Sequence, residues 1–294
     1  MPDFIIVGAM KCATSTLHEQ LARQRGIFMT SPKEPCFFSD DEVWQRGVEW
    51  YASLFNQARP DDLCGESSTH YTKLPTYPLT IERMKAHLPS HIKFLYIMRH
   101  PIDRLISQHI HEWTQRVVSG PIDQAIDEFP ELIDYSRYAM QLEPYFDAFG
   151  QASVLPMFFD RLSSHPQQEL ERVCQFIGRG GPARWDESIE EQNVSSQRMR
   201  QNPLRDAIVN FPGLKTIRRN LVPQAVRDRI KQLWMMKGRP QLSPANLKRL
   251  TNIFDEDLQI LGRWLGLELS CASFKHVAPS VEPRWRTSLR AAVP

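Results

Sequence analysis

Five short apolar runs mark the first 160 residues: 4–8, 26–29, 62–66, 92–98 and 153–158. Each has the length of one buried strand, and most of the intervening stretches carry apolar residues at helical spacing. That alternation predicts an α/β fold, a mostly parallel sheet flanked by helices on both faces. From about residue 161 the pattern turns helical, with expected helices over 165–178, 203–211, 223–236 and 244–266. Gly178-Arg-Gly-Gly-Pro182 is a flexible break, but no low-complexity linker or repeat follows it. One domain over 1–294 is therefore expected, with an α/β core over 1–160 and a mainly helical C-terminal part over 161–275.

The first strand breaks at Gly8, and a helix then begins within Ala9-Met-Lys-Cys-Ala-Thr-Ser-Thr-Leu17. The first N–H groups of a helix lack internal partners and the helix dipole is positive there. A strand, a tight turn and a helix start thus make an anion site. Lys11 adds a point charge, and Thr14, Ser15 and Thr16 add hydroxyl donors, so a phosphate-bearing ligand is expected on a P-loop-like sheet. The nucleoside-triphosphate loop, Gly-x-x-x-x-Gly-Lys-[Ser/Thr], is not matched. Lys11 follows Gly8 by only three residues, and Ala13 stands in place of a second glycine.

The run Ile92-Lys-Phe-Leu-Tyr-Ile-Met98 leads into Arg99-His-Pro-Ile-Asp-Arg-Leu-Ile-Ser107. Pro101 suits the first turn of a helix, where its missing N–H costs little. Arg99 at the strand end and Ser107 two turns into the helix would converge on one phosphate, which a planar guanidinium meets with two parallel hydrogen bonds.

The order Gly-Ala-Met-Lys-Cys-Ala-Thr-Ser-Thr-Leu resembles the 5′-phosphosulfate loop of sulfotransferases that use 3′-phosphoadenylyl sulfate (PAPS). The strand–Arg–x-Pro–x-x-Arg–x-x-Ser pattern is similar to that family's 3′-phosphate site. The resemblance implies that Lys11 stabilises the leaving group, 3′-phosphoadenosine 5′-phosphate (PAP), and that the backbone N–H groups of Cys12, Ala13, Thr14, Ser15 and Thr16 cradle the 5′-phosphosulfate. Arg99 and Ser107 would hold the 3′-phosphate, with Arg104 either beside them or structural. Ile27-Phe-Met-Thr-Ser-Pro-Lys-Glu-Pro-Cys-Phe-Phe38 looks like the family segment in which a glutamate precedes a Phe-Phe pair, which makes Glu34 the acceptor-side general base. Sulfuryl transfer is an in-line displacement, and the attacking hydroxyl must lose its proton to a group within hydrogen-bond reach.

By the same resemblance Glu66, His70 and Tyr71 line the acceptor pocket, with His70 as an alternative base, and His111 reaches toward the sulfonate. Lys237, Gly238 and Arg239 match a late loop that closes over the nucleotide. Two positions depart from the heparan-type pattern: Cys36 stands where a histidine is common, and Ser67 where a lysine is. The implied activity moves a sulfuryl group from PAPS to a hydroxyl, with an amine as second choice, of a small-molecule, saccharide or lipid acceptor. It needs no metal, because the lysine and the helix terminus supply positive charge. Two other readings stay open: a nucleoside-triphosphate-dependent kinase with a degenerate phosphate loop, and a PAP- or PAPS-binding module without chemistry.

Composition narrows the partners. With 41% hydrophobic residues over 294 positions the chain can bury a full core, and its net charge is +2, 36 basic against 34 acidic. That balance gives no polyanion-binding surface, so no nucleic-acid partner is expected. The basic stretches 198–205 and 215–219 read as solvated helix faces. Cys12, Cys36, Cys64, Cys174 and Cys271 have no metal-ligand spacing and read as free thiols in a reducing compartment, with Cys12 and Cys36 open to alkylation. Met1-Pro2-Asp3 runs directly into a strand, and no apolar run reaches the ~18–20 residues of a membrane span. A cytoplasmic protein without a membrane span is expected. Nothing in the sequence fixes the oligomeric state.

Overall fold

The computed structural model describes residues 1–189 and 238–286. The expected helices 203–211 and 223–236, both basic stretches and Lys237 lie outside the described residues. Within them, β1 (Phe4–Gly8), β2 (Ile27–Met29), β3 (Leu63–Ser67), β4 (Lys93–Met98) and β5 (Val154–Phe158) form one sheet in the order β2-β3-β1-β4-β5. Every pairing is parallel. The α/β class expected from the sequence is thus the one observed, with strand limits within one residue of the apolar runs. β1 and β5 are buried along their whole length, as a strand covered on both faces must be.

Helices cover the sheet. α1 (Thr14–Ala22) follows β1, and the short α2 (Asp41–Trp44) and α3 (Val48–Ser53) precede β3. α4 (Thr80–His87) leads to β4, and α5 (Pro101–Thr114) leaves it. α6 (Ile122–Glu128), α7 (Glu131–Asp134) and α8 (Tyr138–Phe149) precede β5. The helix expected over 165–178 is α10 (Pro166–Phe176), with Pro166 in its first turn, and it is preceded by a short helix not expected from the sequence, α9 (Phe159–Ser164). α11 (Pro244–Leu265) starts at Ser243, whose hydroxyl accepts from the Asn246 N–H, and stops at Gly266 in the left-handed region. α12 (Phe274–Val277) is the last helix of the described chain.

Three tertiary fastenings hold the flanking elements in place. A second apolar core, built by Ile102, Leu105 and Ile106 of α5 with Ile122, Leu132, Leu250 and Phe254, locks α5 against α6, α7 and α11. Asp257 of α11 accepts from the N–H groups of Ala139 (2.9 Å) and Met140 (3.1 Å), so one helix caps the start of another, α8, which has no side-chain cap of its own. Finally, three glutamines grip the extended segment 183–186 as an adjacent strand would. Gln20 pairs with the N–H and C=O of Asp186, Gln24 with those of Arg184, and Gln167 with the Ala183 C=O and Trp185 N–H, all within 2.8–3.0 Å.

β1 has β3 on one side and β4 on the other, and its connections part there. Ligands of open parallel sheets bind beyond the carboxyl ends of the strands at such a point. The segments beginning at Gly8, Ser68 and Arg99 all leave from that edge.

Candidate active site

The loop after β1 is shaped by backbone constraints. A β-carbon on Gly8 would stand 2.2 Å from Thr72 Oγ1 and 2.8 Å from the Tyr96 ring, so only glycine fits. Lys11 (φ 72°) and Ala13 (φ 64°) are both left-handed. Ala13 therefore does the conformational work of the missing second glycine, at a cost on the order of 1 kcal/mol. Ala13 also caps α1 without a side-chain bond, which leaves the first-turn N–H groups to the loop. Thr14 and Ser15 line the cleft beyond β1, whereas Cys12 and Thr16 do not. Cys12 lies wholly in the core and burial pushes its thiol up to about 11, so it is no target for alkylation.

The cleft has a volume of about 600 Å³. Lys11 enters it from the β1 loop, Glu34 from the segment after β2, His70 and Lys73 from the connection after β3, and His111 and Glu112 from α5. Glu34 sits in the left-handed region (φ 62°), and its own N–H donates to the Ser67 carbonyl at 2.9 Å. Its carboxylate accepts from the Thr69 N–H (2.7 Å) and hydroxyl (3.2 Å), and it pairs with Lys33. These contacts aim a carboxylate into the space that Lys11 faces from the opposite loop. His70 stacks on Tyr77 at 4.9 Å, and burial together with Lys73 lowers its imidazole to about 4. It stays neutral but loses the basicity that would set it above a carboxylate.

Two expected pocket residues do not reach the cleft. Glu66 and Tyr71 are 0% and 2% exposed, and they face each other inside the protein. The register of β3 turns the Glu66 side chain inward, where Tyr51, Ser68 and Tyr71 donate to it. Ser67 is also buried and bonds His18 Nδ1 at 2.8 Å. A lysine does enter the cleft from this connection, but it is Lys73, 8% exposed, with its ammonium lowered by burial against the pull of Glu112 and Glu34. Sequence reasoning missed Lys73 and Glu112. The available signal was a basic residue in the same strand-to-helix connection as His70, and an acid one position after His111. Cys36 is 8% exposed with its thiol pushed up by burial to about 12, which again argues against alkylation.

On the other side of Lys11, the guanidinium of Arg99 lies over the Phe159 ring at 4.6 Å and reaches the Lys11 carbonyl at 3.5 Å. The Tyr138 hydroxyl accepts from the Arg99 N–H and donates to its C=O, which fixes the strand end. Ser107 is buried within α5 and does not line the cleft. Arg104 is structural: it is fully buried and donates to Ser136, Gln108 and the Leu132 carbonyl. Asp103, in the first turn of α5, gathers Arg239, Lys275 and His100. Burial opposes its ionisation, but Lys275 above all, with His100 and Arg239, holds the carboxyl below its usual value. Arg239 thereby brings the loop after Gly238 to the helix that Arg99 precedes, while Gly238 itself is exposed.

Comparison with known proteins bears on the family and the fold. Residues 1–262 match the sulfotransferase domain family. A membrane-associated sulfotransferase, kil1, of Dictyostelium discoideum is 29% identical over 133 residues, 43% of this chain and 27% of that protein. Heparan sulfate glucosamine 3-O-sulfotransferase 3B1 of Mus musculus is 27% identical over 187 residues, 60% of this chain and 46% of that protein. The chain thus spans about half, or less, of the length of these relatives. A sulfotransferase structure from Alicyclobacillus acidocaldarius superposes with a TM-score of 0.66 at 23% identity, covering 92% of this chain and 97% of that one, a likeness of fold. With its family match running from β1 almost to the end of α11, the chain belongs to the sulfotransferase domain family.

Proposed function

We propose that this protein transfers a sulfuryl group from PAPS to an acceptor hydroxyl, releasing PAP. The observation that carries the reading is the pairing of Lys11 and Glu34 across one cleft, a cation on the uncapped helix start and a carboxylate fed by two Thr69 donors. The loop fits an anion: its first-turn N–H groups have no side-chain cap, and both Lys11 and Arg99 stand beside it. PAPS supplies the sulfuryl group. Thr14, Ser15 and the N–H groups of residues 12–16 hold the 5′ end, while Arg99, Ser107 and the Lys237–Arg239 loop serve the 3′-phosphate. Glu34 takes the acceptor proton as the acceptor oxygen bonds to sulfur. Lys11 neutralises the phosphate oxygen that keeps the electron pair of the broken S–O bond. In this reading these groups provide the charge that a metal provides elsewhere.

The acceptor is a small molecule, a saccharide or a lipid, with a saccharide hydroxyl favoured by likeness to the heparan sulfate enzymes. His70 and His111 border its place, with Lys73 as the cation. The reducing, cytoplasmic setting belongs to the same proposal and is supported by five unbridged cysteines.

The test joins labelled-sulfate transfer to an acceptor panel with calorimetry of PAP and ATP, each with and without Mg²⁺. Metal-independent PAP binding and transfer to at least one acceptor are expected. Glu34→Gln should lower turnover by about 100-fold or more while PAP affinity stays within about twofold. Magnesium-dependent ATP binding would identify a kinase instead, and PAP binding with no transfer would identify a binding module.

A further inference from the structure

Glu66 is a carboxylate with no exposure to solvent. No ion pair holds it among the described residues. Three hydroxyls do: Tyr51 at 2.7 Å and Tyr71 at 3.0 Å on Oε1, and Ser68 at 2.9 Å on Oε2. Two of these hydroxyls also accept from the backbone of the segment that carries Glu34. Ser68 Oγ accepts the Cys36 N–H at 3.0 Å, and Tyr71 Oη accepts the Phe38 N–H at 3.4 Å. The segment has two left-handed residues, Glu34 (φ 62°) and Cys36 (φ 54°), a conformation that surrounding bonds must impose.

We propose that Glu66 is a positioning residue that clamps the Glu34 segment through two hydroxyl relays, Ser68 to Cys36 and Tyr71 to Phe38. The proposal rests on Glu34 acting at the acceptor. Proton bookkeeping explains why a carboxylate is used. A hydroxyl has one hydrogen, and each of the three spends it on Glu66, so the lone pairs of Ser68 and Tyr71 face the backbone N–H groups. A neutral Glu66 would bring a fourth hydrogen into a closed set, and one hydroxyl would have to turn away. An amide at this position has the same fault, since its NH₂ must donate where only donors surround it.

Burial works the other way and raises Glu66 to about 7, against the lowering pull of Tyr51, Ser68 and Tyr71. The other titratable groups around it are Tyr51 from α3, Tyr71, Tyr145 from α8, Cys36 and Glu34. The three phenols and the thiol are pushed up by burial, away from neutrality. The clamp therefore tightens as Glu66 loses its proton near neutral pH.

The experiment compares the intact chain with Glu66→Gln, Ser68→Ala and Tyr71→Phe in three readouts: turnover against pH, PAP affinity, and the alkylation rate of Cys36 at fixed pH, located by peptide mass spectrometry. Buried Cys174 serves as the control. Each variant should lose about tenfold in kcat with PAP affinity unchanged, and should label Cys36 several-fold faster with Cys174 unaffected. The wild-type rate should rise with pH through about 7, a limb that Glu66→Gln removes. If Glu66→Gln does not fold, the two relay variants carry the test alone. Unchanged Cys36 protection, or an acid limb that persists in Glu66→Gln, would overturn the clamp. Faster labelling with unchanged kcat would keep the clamp and remove Glu34 from the role of base.

Discussion

At Gly8 a single missing methyl group sets the entry to the site. Gly8→Ala would drive a carbon into Thr72 Oγ1, the same hydroxyl that donates to the Val7 carbonyl at 2.7 Å. The expected cost is about 1–3 kcal/mol of stability, read as a lower denaturant midpoint, with weaker PAP binding because the β1 loop must shift. Single residues also show where sequence reasoning stops. The meeting of Lys11 and Glu34 at one cleft was legible because each travels with distinctive immediate neighbours. Glu66 was not: Gly-Glu-Ser-Ser-Thr-His-Tyr reads as polar pocket lining, and the hydroxyl from Tyr51, 15 positions earlier, is visible only in space. Lys73 was lost for the opposite reason, since a lone lysine after a short turn looks like solvent-facing charge until the cleft closes around it.

Between elements, the cap of α8 by Asp257 carries more than helix stability. α8 begins with Tyr138, whose hydroxyl clamps the backbone of Arg99. Asp257→Ala strips the buried N–H groups of Ala139 and Met140 of their acceptor, a loss of about 1–3 kcal/mol. The melting temperature should fall, and PAP affinity should fall with it, because the strand end bearing Arg99 loosens; calorimetry on the variant checks both. Elements themselves were largely readable. The strands are contiguous apolar runs, and burial on both faces leaves little freedom in placing them. What could not be read was the short α9 ahead of Pro166 and the packing of α11 onto the start of α8, which depends on a contact between residues 118 positions apart.

For the molecule as a whole, buried titratable groups set the response to acid. Burial lowers His18 and His70 to about 4. Between pH 4 and 6.5 the unfolded chain binds protons that these native imidazoles refuse, so stability rises with pH through that window. Glu66 acts in the other direction, because the folded chain keeps its proton up to about 7 while an unfolded glutamate has released it, and stability is lost as pH rises toward 7. His100 and His109 add to the imidazole climb from pH 4 to 6.5, while Glu112, Asp160 and Asp257 join Glu66 against it. In His18→Gln that climb should be shallower; an unchanged slope would show that His18 takes no part. The grip of Gln20, Gln24 and Gln167 on segment 183–186 stands outside this balance, because carboxamides neither titrate nor attract counterions. The Asp103–Arg239 contact, half open to water, is screened within about 8 Å at physiological ionic strength. Salt therefore slackens the fastening at residue 239 and leaves the one at 183–186 untouched, so ionic strength acts on the two attachments unequally.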